Sequence, residues 1–209
     1  MDPIVIRSLL NDVAELTSEH LILVGVSSLF AIVIGVGVGI LGTRNANVRR
    51  ISLTTASVLQ TIPSLALFGF LLPIPIIGGI GKRTAIISLI VYALLPILRN
   101  TIVGIAGVDA PVREAAIAMG MTNGQLLRLV ELPLAAPTII AGIRTAVVTT
   151  IGTAVIAAAI GGGGLGVLIF RGVASVDTLQ ILAGAIPSAV LALIADGAMA
   201  WLERRIAKT

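Results

Sequence analysis

The stretch VREAAIAMGMTNGQLLRLVELPLAAP, Val112 to Pro137, decides how this chain is read, because it interrupts a sequence otherwise made of long hydrophobic segments. It reads as two short helices meeting at a bend. Asp109 and Pro111 suit the start of the first, since an aspartate oxygen accepts from free amide hydrogens and proline fits the first turn. Glu114 is expected in that turn, where the positive end of the helix dipole favours a carboxylate. Ala115, Ala116, Ala118 and Gly120 leave a nearly bare surface on which a foreign backbone or side chain can pack. Gly120 to Gly124 breaks the run. Thr122 with Gln125 forms a capping-box pattern, so a second helix starts there. Leu126, Leu127 and Val130 share one face of it, with Arg128 and Glu131 turned elsewhere. Pro133 is expected to end this helix and to seed the next at its first turn. A bland surface hairpin would account for the helices, but not for a small-residue face, an early glutamate and a glycine bend together.

The composition around the hairpin is that of a membrane protein. Hydrophobic residues make up 57% and charged residues 11%, against roughly half and one-quarter in a soluble domain. The net charge of +4 is modest, and with so little charge overall it gives no case for nucleic acid. Without cysteine there are no disulfides, iron–sulfur clusters or thiolate metal sites. The single histidine, His20, leaves no histidine cluster for a metal, and its position suggests an interfacial residue.

Residues 1–19 carry Asp2, Arg7, Asp12, Glu15 and Glu19 among apolar residues, too polar for a signal peptide, and read as an amphipathic lead-in. Leu21 to Leu41 has the roughly 20 residues needed to cross the hydrocarbon. Within it Gly35, Gly37 and Gly39 set small residues four apart on one face, a pattern for close helix packing, with a pore-facing role as the alternative. Arg44, Arg49 and Arg50 then form a basic loop that the positive-inside rule places in the cytoplasm.

A second span is expected over residues 51–72. Gln60, Thr61, Pro63 and Ser64 stand in its middle, where proline frees a carbonyl and bends the helix. Either neighbouring helices satisfy that kink, or Gln60 and Thr61 line a translocation path with Pro63 shaping it, since polar groups facing lipid are costly. Pro73 to Gly81 is a turn-rich outer loop, followed by Lys82 and Arg83. A third span covers about 84–104, and a fourth about 134–160. Arg144 lies two to three turns inside the fourth and is expected to snorkel inward or to pair with a loop carboxylate. Gly161 to Gly164 is a second bend; lacking a preceding strand and a following Gly-Lys-Ser/Thr, it is no phosphate loop. A fifth span over about 179–201 leaves Glu203, Arg204, Arg205 and Lys208 inside. The chain divides into the lead-in 1–19, one transmembrane domain over 20–202 with the loop 109–132 inside it, and a tail 203–209. No internal repeat is visible.

Three absences bear on mechanism. No nucleotide-binding loop is present. No ionisable residue is placed at a span midpoint, which disfavours a proton relay. Aromatic residues are 3%, too few for a cage of rings around a quaternary ammonium group. A membrane-embedded enzyme finds no catalytic pair or metal cluster here, and an ion-coupled carrier or channel leaves the hairpin unexplained.

Glu114-Ala115-Ala116, three residues, Gly120, nine residues, then Val130-Glu131-Leu132-Pro133 resembles the "EAA" loop of binding-protein-dependent ABC importer permeases. That loop runs Glu-Ala-Ala-x3-Gly-x9-Ile-x-Leu-Pro, and this chain departs from it only in Val130. The flanks Gln60-Thr61-Ile62-Pro63-Ser64-Leu65-Ala66-Leu67, Leu94-Leu95-Pro96-Ile97-Leu98-Arg99-Asn100-Thr101 and Ile160-Gly161-Gly162-Gly163-Gly164-Leu165-Gly166 are similar to the permeases for glycine betaine, carnitine, choline and related osmoprotectants. The resemblance spans roughly residues 20–200. It implies an all-α polytopic membrane protein of the type I ABC importer permease fold, with about five transmembrane helices and a cytoplasmic coupling-helix hairpin. It implies coupling residues Glu114, Ala115, Ala116, Gly120, Leu132 and Pro133, gripped by a separate ATPase subunit that carries ATP and Mg. It also implies a second permease chain, identical or homologous, an extracytoplasmic substrate-binding protein, and a bacterial or archaeal cell membrane. The runner-up within this class is a permease for methionine or another amino acid.

Overall fold

The computed structural model describes residues 3–75 and 77–207, so Asp2 of the lead-in and Lys208 of the tail lie outside the described residues. Among the described residues there is no strand. Four helical stretches are long and apolar enough to cross a membrane, and a bent helix pair is the fifth candidate.

The first helix, α1 (Pro3–Arg44), absorbs the lead-in and the first span into one rod. Gly35 and Gly39 are its packing face. A Cβ at either would come within 2.7 Å of Ile97 or Thr101 on α4 (Lys82–Ala106), whereas one at Gly37 would meet open space. Lipid offers apolar helices little hydrophobic reason to associate, so such close backbone approach is what holds the pair.

The second span is not one kinked helix. It is α2 (Ala46–Thr61) and α3 (Ser64–Leu71), set at 104° to each other. Pro63 cannot donate to the helix and forces Ile62 into an extended conformation (φ −73°, ψ 125°). The break is braced twice against α4. Pro96 leaves the carbonyl four residues before it, that of Tyr92, without its helical donor, and Gln60 Nε2 donates to that oxygen at 2.8 Å. In return the Tyr92 hydroxyl donates to the Ile62 carbonyl.

After α4 come the short α5 (Ala110–Ala118) and α6 (Asn123–Leu126), a π-helical turn (Leu127–Glu131) and α7 (Leu132–Ile156). From Asn123 to Ile160 the chain is one helical rod of 38 residues. Pro133 therefore does not end a helix, contrary to the sequence expectation, but it does lie in the first turn of α7 as expected. Its ring would press on the carbonyl one α turn back; the wider turn, closed by Leu132 N–H to Leu127 O, absorbs it without a break. At the far end Gly161, Gly163 and Gly164 take positive φ (74°, 83° and 77°), the bend expected there. Beyond them lies α8 (Gly166–Ser175), which the sequence did not announce, and then α9 (Thr178–Ile206), capped by Asp177 Oδ1 on the amides of Leu179 and Gln180.

A core of Leu23, Val24, Phe68, Leu89, Ile151 and Ala154 joins α1, α3, α4 and α7. The two ends of this bundle differ. One gathers the hairpin, the end of α1 and the start of α7. The other gathers the start of α4 and the glycine loop, where Gly81 N–H donates to Ile160 O at 2.9 Å.

Candidate coupling and translocation sites

The hairpin is built as two helices around a bend. Pro111 lies in the first turn of α5, and Asp109 is its N-cap residue, but the Asp109 side chain makes no capping bond. Glu114 falls beyond the first turn, because the helix starts at Ala110; it is exposed, not bound to free amides. Ala115 is exposed and Ala116 is buried, so α5 rests on the rest of the chain through Ala116 and offers Ala115 outward. Gly120 bends the chain with φ +82° and nothing within 4 Å of a Cβ position. The capping box is present as read: Thr122 N–H donates to Gln125 Oε1 at 2.8 Å, and Gln125 N–H to Thr122 Oγ1 at 3.4 Å. Leu132 is half-buried and Pro133 exposed. Val112, Ile117 and Met119 also stand in the open (42%, 57% and 72% exposed), an apolar patch around Glu114 and Ala115.

The residue that ties this hairpin down is Glu131. It is completely buried, and two arginines meet it: Arg44 from the end of α1, and Arg113 of α5, whose Nη2 stands 2.9 Å from Oε1. The sequence expectation turned Glu131 away from the face of Leu126, Leu127 and Val130; the structure corrects it, burying Glu131 as deeply as Leu126. One carboxylate thus joins α1, α5 and the π turn. Removing both arginines, which are 37% and 33% exposed, would strand the carboxylate in a dry site.

Gln60, Thr61 and Pro63 are brought together at the α2–α3 break. Gln60 is committed to the Tyr92 carbonyl, and Thr61 donates to Val58 O at 2.7 Å. All three are exposed on the chain taken alone.

Two ionisable residues are more closely held within the chain than expected. His20 is fully buried, with Nε2 at 3.1 Å from Ile151 O; α1 carries it past the glycine loop, where a Cβ at Gly164 would come within 3.0 Å of Nδ1. Its neighbour Glu19 accepts from Lys82 Nζ at 2.7 Å and from Gly164 N–H at 3.1 Å. Arg144 pairs with a helix and not with a loop. It is the central residue of α7, which runs over 132–156 and not about 134–160, and its partners stand on helix α9. Its Nε and Nη2 donate to both Asp196 oxygens at 2.6 and 2.8 Å, and Nη1 stands 3.4 Å from Glu203 Oε2. Charges therefore do stand within the spans, and the apolar run containing Asp196 was the signal for them.

A bundle of membrane-length helices with an exposed bent hairpin and no metal-binding group among the described residues has the form of a multi-pass transport subunit. Residues 31–208 match the family of the binding-protein-dependent transport system inner membrane component, and the chain belongs to that family. It is similar to the carnitine transport permease protein OpuCD of Listeria monocytogenes, 44% identical over 90% of this chain and 83% of that one. It is also similar to the choline transport system permease protein OpuBD of Bacillus subtilis, 47% identical over 90% and 82%. The osmoprotectant import permease protein OsmW of Salmonella typhimurium is 44% identical over 92% and 89%. Among solved structures, the inward-facing MetNI methionine ABC transporter superposes with TM-score 0.84 at 26% identity, covering 99% of each chain. The chain is the permease subunit of an ABC importer with the type I permease fold. It belongs to a transport family, not an enzyme family, and works in a membrane with an ATPase and a substrate-binding protein.

Proposed function

We propose that this permease imports a quaternary-ammonium compatible solute, such as glycine betaine, carnitine or choline, across the inner membrane of a bacterial or archaeal cell. The observation that carries the reading is identity of 44–47% over about nine-tenths of the chain to permeases named for carnitine and choline. Two permease chains, identical or homologous, enclose the path, since five spans make only part of a wall. An extracytoplasmic binding protein delivers the solute. The hairpin lies in the cytoplasm, and an ATPase holding ATP and Mg grips it through Glu114, Ala115, Ala116 and Gly120, with Leu132 and Pro133 leading the movement into α7. The exposed patch of Val112, Ile117 and Met119 supports this contact, because apolar side chains there remain open on the chain taken alone. Closure of the ATPase then moves the spans between outward-open and inward-open states.

A second reading, a methionine or other amino-acid permease, draws on the likeness to MetNI, at the lower identity of 26%. Uptake into vesicles reconstituted with the intact transporter separates them. ATP-dependent accumulation of betaine, carnitine or choline is the expected result; accumulation of methionine with none of the three would overturn it.

A further inference from the structure

We propose that the groove around Arg144, Asp196 and Glu203 is a binding station for the quaternary ammonium head group of the transported solute, on the hairpin side of the membrane. The inference rests on the solute class proposed above and adds a site to it.

The groove has a volume of about 370 Å³ and lies between α7 and α9, lined also by Ala141, Val148 and Thr149. Its depth follows from the helices. Arg144 is twelve residues into α7 and Asp196 ten residues from the end of α9, about 18 and 15 Å along their axes at 1.5 Å per residue. Charged groups at such depth are costly against lipid and are kept where they face protein or a water-filled path. Here the chain itself leaves them partly open: Arg144, Asp196 and Glu203 side chains are 33%, 42% and 30% exposed. Exposed charges on this face of α7 and α9 suit a water-filled path better than acyl chains.

The chemistry of the groove favours a cation. One guanidinium faces two carboxylates, an excess of one negative charge. Two of Arg144's donor groups are already spent on Asp196, at 2.6 and 2.8 Å. The threonine hydroxyls spend their protons inside α7, Thr145 on Ala141 O at 3.0 Å and Thr149 on carbonyls one turn back. What remains toward the groove is acceptor lone pairs, carboxylate charge, and the methyl groups of Ala141, Val148 and Thr149. A head group with fixed positive charge and no N–H suits those surroundings without leaving a donor unsatisfied. Glu203 is the carboxylate with most freedom, because its contact to Arg144 is the long one at 3.4 Å. It offers its second oxygen to the solute while Oε2 and Asp196 keep Arg144 in place. The paucity of aromatic residues then ceases to be an obstacle, since charge replaces the ring cage.

The test is equilibrium binding of labelled choline to the purified permease–ATPase complex without its binding protein. Saturable binding is expected, displaced by tetramethylammonium and not by methylammonium. Glu203→Gln should weaken it about tenfold, with complex assembly and basal ATP hydrolysis unchanged, and Glu203→Asp should restore it. Absence of saturable binding, or equal affinity in Glu203→Gln, overturns the site. Uptake in vesicles keeps the two readings apart. If betaine, carnitine and choline are imported while Glu203→Gln binds normally, only this site fails; if none is imported, the solute class fails and the site with it.

Discussion

The two ends of the bundle are each tied by a glutamate, and the ties are unlike. At the hairpin end Glu131 is completely buried and shared by two arginines from different helices. At the opposite end Glu19 is 26% exposed and meets Lys82, itself 53% exposed. A solvated pair is screened and adds little, whereas a buried carboxylate cannot lose its partners without a large penalty. The hairpin end is therefore the fixed joint of the permease. The glycine-loop end can yield.

Breaking the fixed joint should have the largest effect. Arg44→Ala with Arg113→Ala strands the fully buried Glu131 carboxylate and should cost about 3–5 kcal/mol, read as a lower thermal midpoint of the detergent-purified subunit and loss of co-purifying ATPase. A melting curve like that of wild type would remove the clamp from the comparison. Next is Gly120→Val. A β-branched residue at φ +82° is strained by about 1–3 kcal/mol, but no neighbour blocks its side chain. The variant should insert normally and lose ATPase co-purification and coupled uptake; retention of both would show that the bend plays no part in docking.

Smaller effects sharpen the contrast. Gln60→Leu and Tyr92→Phe each remove one strut between α2 and α4 and should cost about 0.5–1.5 kcal/mol. The double variant should cost less than their sum, because the struts share one joint. Uptake lost in Gln60→Leu at unchanged stability would instead place Gln60 in the path. Smallest is Glu19→Gln, expected within about 1 kcal/mol and sensitive to salt. A loss as large as that of the double arginine variant would erase the distinction between the ends.

What could be read from sequence was what lies within a few residues. The Thr122–Gln125 capping box, the Gly35–Gly39 packing face and the Gly120 bend each depend on neighbours three to five positions away or on one backbone angle. The Glu131 clamp joins residues 87 positions apart, and the Arg144–Asp196 pair spans 52; neither separation leaves a periodic trace. A charge within an apolar run announces a partner but does not name it. The α2–α3 break was half legible: Pro63 marked the place, while the 104° angle is set by Tyr92 and Pro96 on another helix. Helix α8 escaped because its ten residues, mostly apolar but carrying Arg171, follow a glycine run and are too few to read as a span.

The π turn at Leu127–Glu131 holds one residue more than an α turn would need. Each residue advances an α-helix by about 100°, so the surplus sets the angular phase of the hairpin against α7. Deleting Leu129 would remove the surplus and rotate everything before it by that amount, taking Glu131's arginines out of step with the carboxylate. The clamp on Glu131, the last residue of that turn, locks this phase, so a movement of the hairpin is passed on to α7.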